Sequence, residues 1–170
     1  MDTGTVGPPT LVASDVRSSS PGTPSRDETV SWQTYASTSY GYTLKFPAGW
    51  VAPTSPDNQQ SFASENSGGP LGLSANGIWF YVLVTHVTSA SCPTTNVAGN
   101  GAILSQHPST ISGSAGVIYV FNDGDGFFDV ISNVWHGRCY DLFFATKSAP
   151  TRDSYRHVID LILAHITFGP

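Results

Sequence analysis

Tyr40-Gly41-Tyr42-Thr43-Leu44-Lys45-Phe46-Pro47-Ala48-Gly49-Trp50 alternates apolar and polar side chains and then meets a proline. Tyr42, Leu44 and Phe46 fall on one face of an extended chain and Thr43 and Lys45 on the other, the pattern of a half-buried strand. Pro47 has no N–H to give to a ladder, so the strand ends there. Trp50 is expected to fold back as a core plug. Just upstream, Trp32-Gln33-Thr34-Tyr35 reads as a second short strand, joined to the first by a Ser/Thr-rich turn containing Gly41.

Downstream, residues 51–77 are rich in Pro and Gly, with one short strand expected at Gln60-Ser61-Phe62-Ala63-Ser64. The run from Ile78 to Val87 is the most apolar in the chain and is dense in β-branched and aromatic residues, so it is expected to be a central strand covered on both faces. Residues 92–110 carry mixed signals, with one or two weak helical turns expected between Ala98 and Gln106. Three strands then follow at Ala115–Phe121, Phe127–Trp135 and Cys139–Thr146. The loops Asn122–Gly126 and His136–Arg138 are short and contain residues that tolerate positive φ, which predicts an antiparallel meander. From Thr151 to Ala164, Tyr155, Val158, Ile159, Ile162 and Leu163 recur at helical spacing behind Pro150. Ile166-Thr167-Phe168 closes the chain.

A chain of 170 residues, 39% apolar, is enough for one core. Residues 1–31 hold Pro8, Pro9, Pro21 and Pro24 among many Ser, Thr and Gly and lack apolar periodicity. They read as a tether, with a terminus of no particular role as the alternative, and the globular domain is expected over 32–170. Charged residues are only 11% of the chain, against roughly 25% in an average soluble domain. The seven Lys and Arg are scattered and the net charge is −5, which argues against nucleic acid as a partner. No apolar run reaches the roughly 18–20 residues that span a bilayer. The composition points to an exported protein whose leader has been removed, with a cytosolic protein as the alternative. Two cysteines, Cys92 and Cys139, are too few for a structural zinc site by themselves but suit one disulfide between neighbouring strands. Two independent buried thiols are the other reading.

The stretch 40–50, with its glycine and aromatic start, its proline and its tryptophan, resembles the signature near the start of PsbP-like domains. Tyr40, Gly41, Tyr42, Phe46, Pro47 and Trp50 carry the likeness. Ile111-Ser112-Gly113-Ser114-Ala115-Gly116 resembles that family's glycine-containing entry into a long hairpin, and the terminal helix running into Ile166–Phe168 resembles its ending. The resemblance implies an α+β fold, an antiparallel sheet sandwiched between helices, in accessory or assembly proteins without catalytic activity. Between 88 and 110 the sequence departs from the pattern, because Pro, Gly and Asn stand where an amphipathic covering helix is expected.

Signals for chemistry are weak. Ser112-Gly113-Ser114-Ala115-Gly116 lacks the first glycine of a serine-hydrolase elbow and reads as a strand-entry turn. Asp123-Gly124-Asp125-Gly126, with Asp129 beyond, has the start of an alternating carboxylate loop for a divalent cation, but Phe127 occupies the third ligand position. A hairpin turn is the simpler reading. Asp153 and His157 are expected to pair on one helix face, and His86 to be a hydrogen-bonded structural residue. Of the four tryptophans, Trp135 beside His136 is the best candidate for an exposed binding surface.

These readings converge on an exported, membrane-tethered, non-enzymatic domain that binds another protein or a surface complex and needs no cofactor. A small-ligand or carbohydrate-binding module is the alternative, and a hydrolase of unrecognised type a more remote one.

Overall fold

A computed structural model describes residues 26–52, 58–93 and 101–169. Most of the tether expectation, residues 1–25, lies outside the described residues, as does part of the ambiguous stretch, 94–100.

Two antiparallel sheets build the domain. The smaller has the order β1 (Gln33–Ser37), β2 (Tyr42–Phe46), β9 (Thr167–Phe168). The larger has six strands among the described residues. They are β3 (Gln59–Ala63), β4 (Ile78–His86), β5 (Ala102–Ile111), β6 (Ser114–Asn122), β7 (Phe127–Trp135) and β8 (Arg138–Thr146), in the order β3-β4-β8-β7-β6-β5. Two helices, α1 (Ala149–Ser154) and α2 (Arg156–Ala164), follow the meander.

The expected alternation decides how the layers meet. Tyr42, Leu44 and Phe46 are buried, while Thr43 and Lys45 are only half-buried. Gly41 takes φ 65°, a left-handed turn that favours glycine, and its N–H donates to the Ser37 carbonyl at 2.9 Å. Its own carbonyl accepts from Gly169 N–H at 2.6 Å, so the same turn holds the chain's last residues. The buried face of β2 lies on the inner face of the large sheet, where Phe80, Val82, Ile131, Leu142 and Phe144 join it with Ile159 and Ile162 of α2 in one cluster. Trp50 is half-buried at its margin.

The meander forms as the loop composition predicts, and β5 lengthens it. Two of its turns have two central residues, Ser112-Gly113 (φ 50° and 79°) and His136-Gly137 (φ 48° and 73°). Positive φ at both positions matches the right-handed twist of the flanking strands. The Ser112 hydroxyl donates to the Ile166 carbonyl, fastening the β5–β6 turn to the end of the chain.

Three local expectations need correction. Residues 102–106 are strand rather than helix, because β6 offers nine register partners along β5 and pairing outweighs local propensity. Pro108 is tolerated there because β5 is an edge strand. The terminal helix is broken at Tyr155, so Asp153 and His157 do not pair. Asp153 lies 3.7 Å from Arg152 instead, and His157 Nε2 lies 2.6 Å from Glu28. His86 is exposed at the end of β4.

Asp129 is the polar tie between sheet and helix. Its carboxylate is 2% exposed and accepts from Arg152 Nε at 2.8 and 2.9 Å, with Arg156 Nη1 at 3.9 Å. Removing one member of a buried pair leaves the other charge uncompensated. Asp129→Ala is therefore expected to cost about 3 kcal/mol of unfolding free energy in denaturant titration. Asp123→Asn, which keeps the turn's accepting oxygen, is expected to stay within about 0.5 kcal/mol of the parent.

Candidate functional site

The two faces of the large sheet are treated differently. The inner face is sealed by the small sheet and α2. On the outer face, period two places Trp79, Tyr81 and Leu83 of β4, Cys139, Asp141, Phe143 and Ala145 of β8, Phe128, Val130, Ser132 and Val134 of β7, and Ala115, Val117, Tyr119 and Phe121 of β6. Aromatic rings pave it: Tyr81 stacks on Phe143 at 4.2 Å and Phe121 on Phe128 at 4.9 Å. The described residues packed on this side are the Leu73 segment, against Trp79 and Ala145, and the loop carrying Cys92.

That loop is fastened by a disulfide. Cys92 and Cys139 are bonded, with Cα atoms 5.4 Å apart and a sequence separation of 47, which selects the disulfide over two separate thiols. Beside the bond is a hollow of about 220 Å³. Ala90, Ser91 and Cys92 form one wall, and Ala115, Val117, Tyr119, Ser132 and Val134 line the rest with Gly116. Small side chains make the hollow: Ala115 and Gly116 leave room where larger residues would fill it. Gly116 has its own reason to lack a side chain, because a Cβ there would lie 2.4 Å from the Ser132 carbonyl oxygen and 2.6 Å from the Asn133 amide. A shallower depression over Gln106, His107 and Pro108 shares Gly116 and Val117 and carries the concavity toward the β5 edge.

Behind the disulfide lies a group the sequence reading passed over. Asp141 is 0% exposed; its Oδ1 accepts from the Ser132 hydroxyl at 2.5 Å and lies 3.3 Å from Cys139 Sγ. Burial and the Asp141 charge together push the Tyr81 phenol well above its ordinary pKa, so Tyr81 stays protonated. Cys139 and Asp141, two apart on one strand, necessarily share a face. That spacing was the signal available in the sequence.

The other candidate residues disperse. The Asp123 carboxylate closes its own turn, accepting from the N–H groups of Asp125 and Gly126 at 2.9 and 3.1 Å. Asp129 faces the opposite way, into the Arg152 pair, so Asp123, Asp125 and Asp129 do not converge on one point. Trp135 is half-buried; its indole N–H donates to the Gly169 carbonyl at 2.8 Å, and the exposed His136 ring stacks on it at 4.8 Å. Tyr40 is half-buried too, its carbonyl accepting from the Tyr140 hydroxyl at 2.6 Å and its ring 5.5 Å below the Arg138 guanidinium.

Two sheets on one side of which short helices pack define an α+β fold of the PsbP-like kind. Among solved structures, the chain is similar to cyanobacterial PsbP (CyanoP) of Synechocystis, with a TM-score of 0.56 at 13% identity over 81% of this chain and 92% of that one. It is also similar to the Ran-binding protein Mog1p of Saccharomyces cerevisiae, with a TM-score of 0.50 at 12% identity over 81% and 95%. A mutant form of Mog1 matches equally, at 0.50 and 9% identity. At these identities the likeness is one of fold. No family model and no curated protein sequence matches the chain.

Because the disulfide closes a long loop and anchors one wall of the hollow, replacing both Cys92 and Cys139 by Ala is expected to lower stability by about 2–4 kcal/mol. Chemical unfolding of the oxidised parent and the double variant measures this.

Proposed function

We propose that the domain is an accessory or assembly module without catalytic activity, and that it holds another protein against the outer face of its large sheet. The observation that carries this reading is the hollow of about 220 Å³ in an aromatic-paved face. Its volume is that of one bulky apolar side chain, and the exposed Ser91 at its wall supplies a hydroxyl for a bound backbone. Apolar surface of this kind with a polar rim is what protein-binding modules display. The fold is compatible: one similar structure is that of a Ran-binding protein, and the other is a PsbP.

The reading extends to location. A disulfide persists in oxidising compartments, so an exported protein is the natural bearer of the Cys92–Cys139 bond. The Ser/Pro-rich segment ahead of Arg26 then serves as the tether between a membrane anchor and the domain, while Glu28 and Thr29 reach His157 and His165. Among the described residues, no helix is long and apolar enough to cross a membrane.

Affinity capture from membranes of the source cell tests this directly. The intact chain is expected to retain a defined protein or complex, identified by mass spectrometry. Ala115→Arg, at an exposed position on the wall of the hollow, is expected to reduce capture by about tenfold or more while leaving the melting temperature unchanged. If only glycans or small molecules are retained, the ligand-binding alternative replaces this one; if Ala115→Arg captures as well as the parent, the outer face is not the contact.

A further inference from the structure

The fully buried Asp141 carboxylate accepts from the Ser132 hydroxyl and lies 3.3 Å from the Cys139 sulfur, which carries no proton while it is bonded to Cys92. Reduction changes that. Cys92 Sγ, Cys139 Sγ and an Asp141 oxygen all lie within 4.8 Å of one another. Tetrahedral zinc holds thiolate sulfur at about 2.3 Å and carboxylate oxygen at about 2.0–2.2 Å, which sets its ligand atoms roughly 3.5 Å apart. The Cys139–Asp141 separation already meets this requirement.

We propose that reduction of the Cys92–Cys139 bond turns this corner into a site for one divalent cation of the zinc class, ligated by Cys92, Cys139 and Asp141. Only Cys92 has to withdraw, and it is the member able to do so: it is half-buried on a loop, whereas Cys139 is fixed in β8 between β4 and β7. The Ser132 hydroxyl holds the carboxylate in place from behind, as outer-shell partners of metal ligands do. Directly across the strand pair from Cys139, the Thr85 hydroxyl is buried without a hydrogen-bond partner among the described residues. The hollow, lined by Cys92 and Ser132, lies beside the bond and has room for a water in the fourth position.

The electron balance is simple. The thiolate of a dithiol reductant attacks the accessible Cys92 sulfur, the S–S bond breaks, and Cys139 leaves as thiolate and takes up a proton. The reductant's second thiol then displaces Cys92, so the reductant ends as a disulfide and the protein with two thiols. Binding the cation releases both thiol protons. The outer face thus carries a covalent bond or a metal according to the redox state, independently of what partner it holds.

The test uses the full chain, reduced under anaerobic conditions and titrated with cadmium ion, whose thiolate complexes absorb in the ultraviolet. The expected result is a charge-transfer band that saturates at one ion per chain with the near-ultraviolet circular dichroism retained, and no band from the oxidised chain. Cys92→Ser is expected to weaken binding by about a hundredfold, and Asp141→Asn and Ser132→Ala each by about tenfold. No saturating band in the reduced parent, or unchanged affinity in Asp141→Asn and Ser132→Ala, overturns the proposal. So does a band that appears only with loss of the circular dichroism signal, because it then belongs to unfolded cysteines.

Discussion

One column of aromatic rings joins the two sheets, and the rest of the architecture is placed by it. Phe46 of β2 meets Phe62 of β3 at 4.6 Å, Phe62 meets Phe80 of β4 at 5.5 Å, and Phe80 stacks on Phe144 of β8 at 4.5 Å. Burying each such ring stabilises by about 1.5–3 kcal/mol before pair geometry adds its smaller share. Because the column starts on β2, the face of that strand cannot slip by one residue without turning all three of its core side chains to solvent. With β2 fixed, β1 and β9 pair on either side, and α2 fills the space left over the inner face.

Closing the inner face this way has a consequence for the outer one. The inner face takes both helices and the small sheet, while the outer face is organised by side chains on the strands themselves and by a loop fastened through Cys92. Pairing small residues at Ala115 and Gly116 with a loop wall leaves a concavity rather than a filled layer. Concave apolar surface is where binding sites are most often found. The polar groups follow the same division. On the inner face, Asp129 is fully committed to Arg152. On the outer face, Asp141 lies beside sulfur and beneath the hollow.

What was legible in the sequence follows from which forces are local. Alternation at 42–46, the His136-Gly137 turn and the helical periodicity from Val158 to Leu163 are short-range signals, and each led to the correct element. Residues 102–111 did not, since Ala102, Leu104 and Gln106 favour helix on their own and become strand only because β6 is there to pair with them. The break at Tyr155 is likewise tertiary: α1 is pinned by Arg152 to the sheet and by the Thr151 hydroxyl to the Ala75 carbonyl. Among site residues, a disulfide was readable from two cysteines near strands. Asp129 looked like the tail of an acidic loop because its Arg152 partner lies 23 positions on. Asp141 was hidden by the apolar run around it.

The central claim is that the outer face, and not the helical side, meets a partner. A photo-crosslinking amino acid placed at position 115 of the full chain, with a second at exposed position 154 in α1 as comparison, tests it in the source cell. The account predicts a discrete protein adduct from position 115 and none from 154. Adducts from 154 alone, or none from 115 when partner is present, would contradict it.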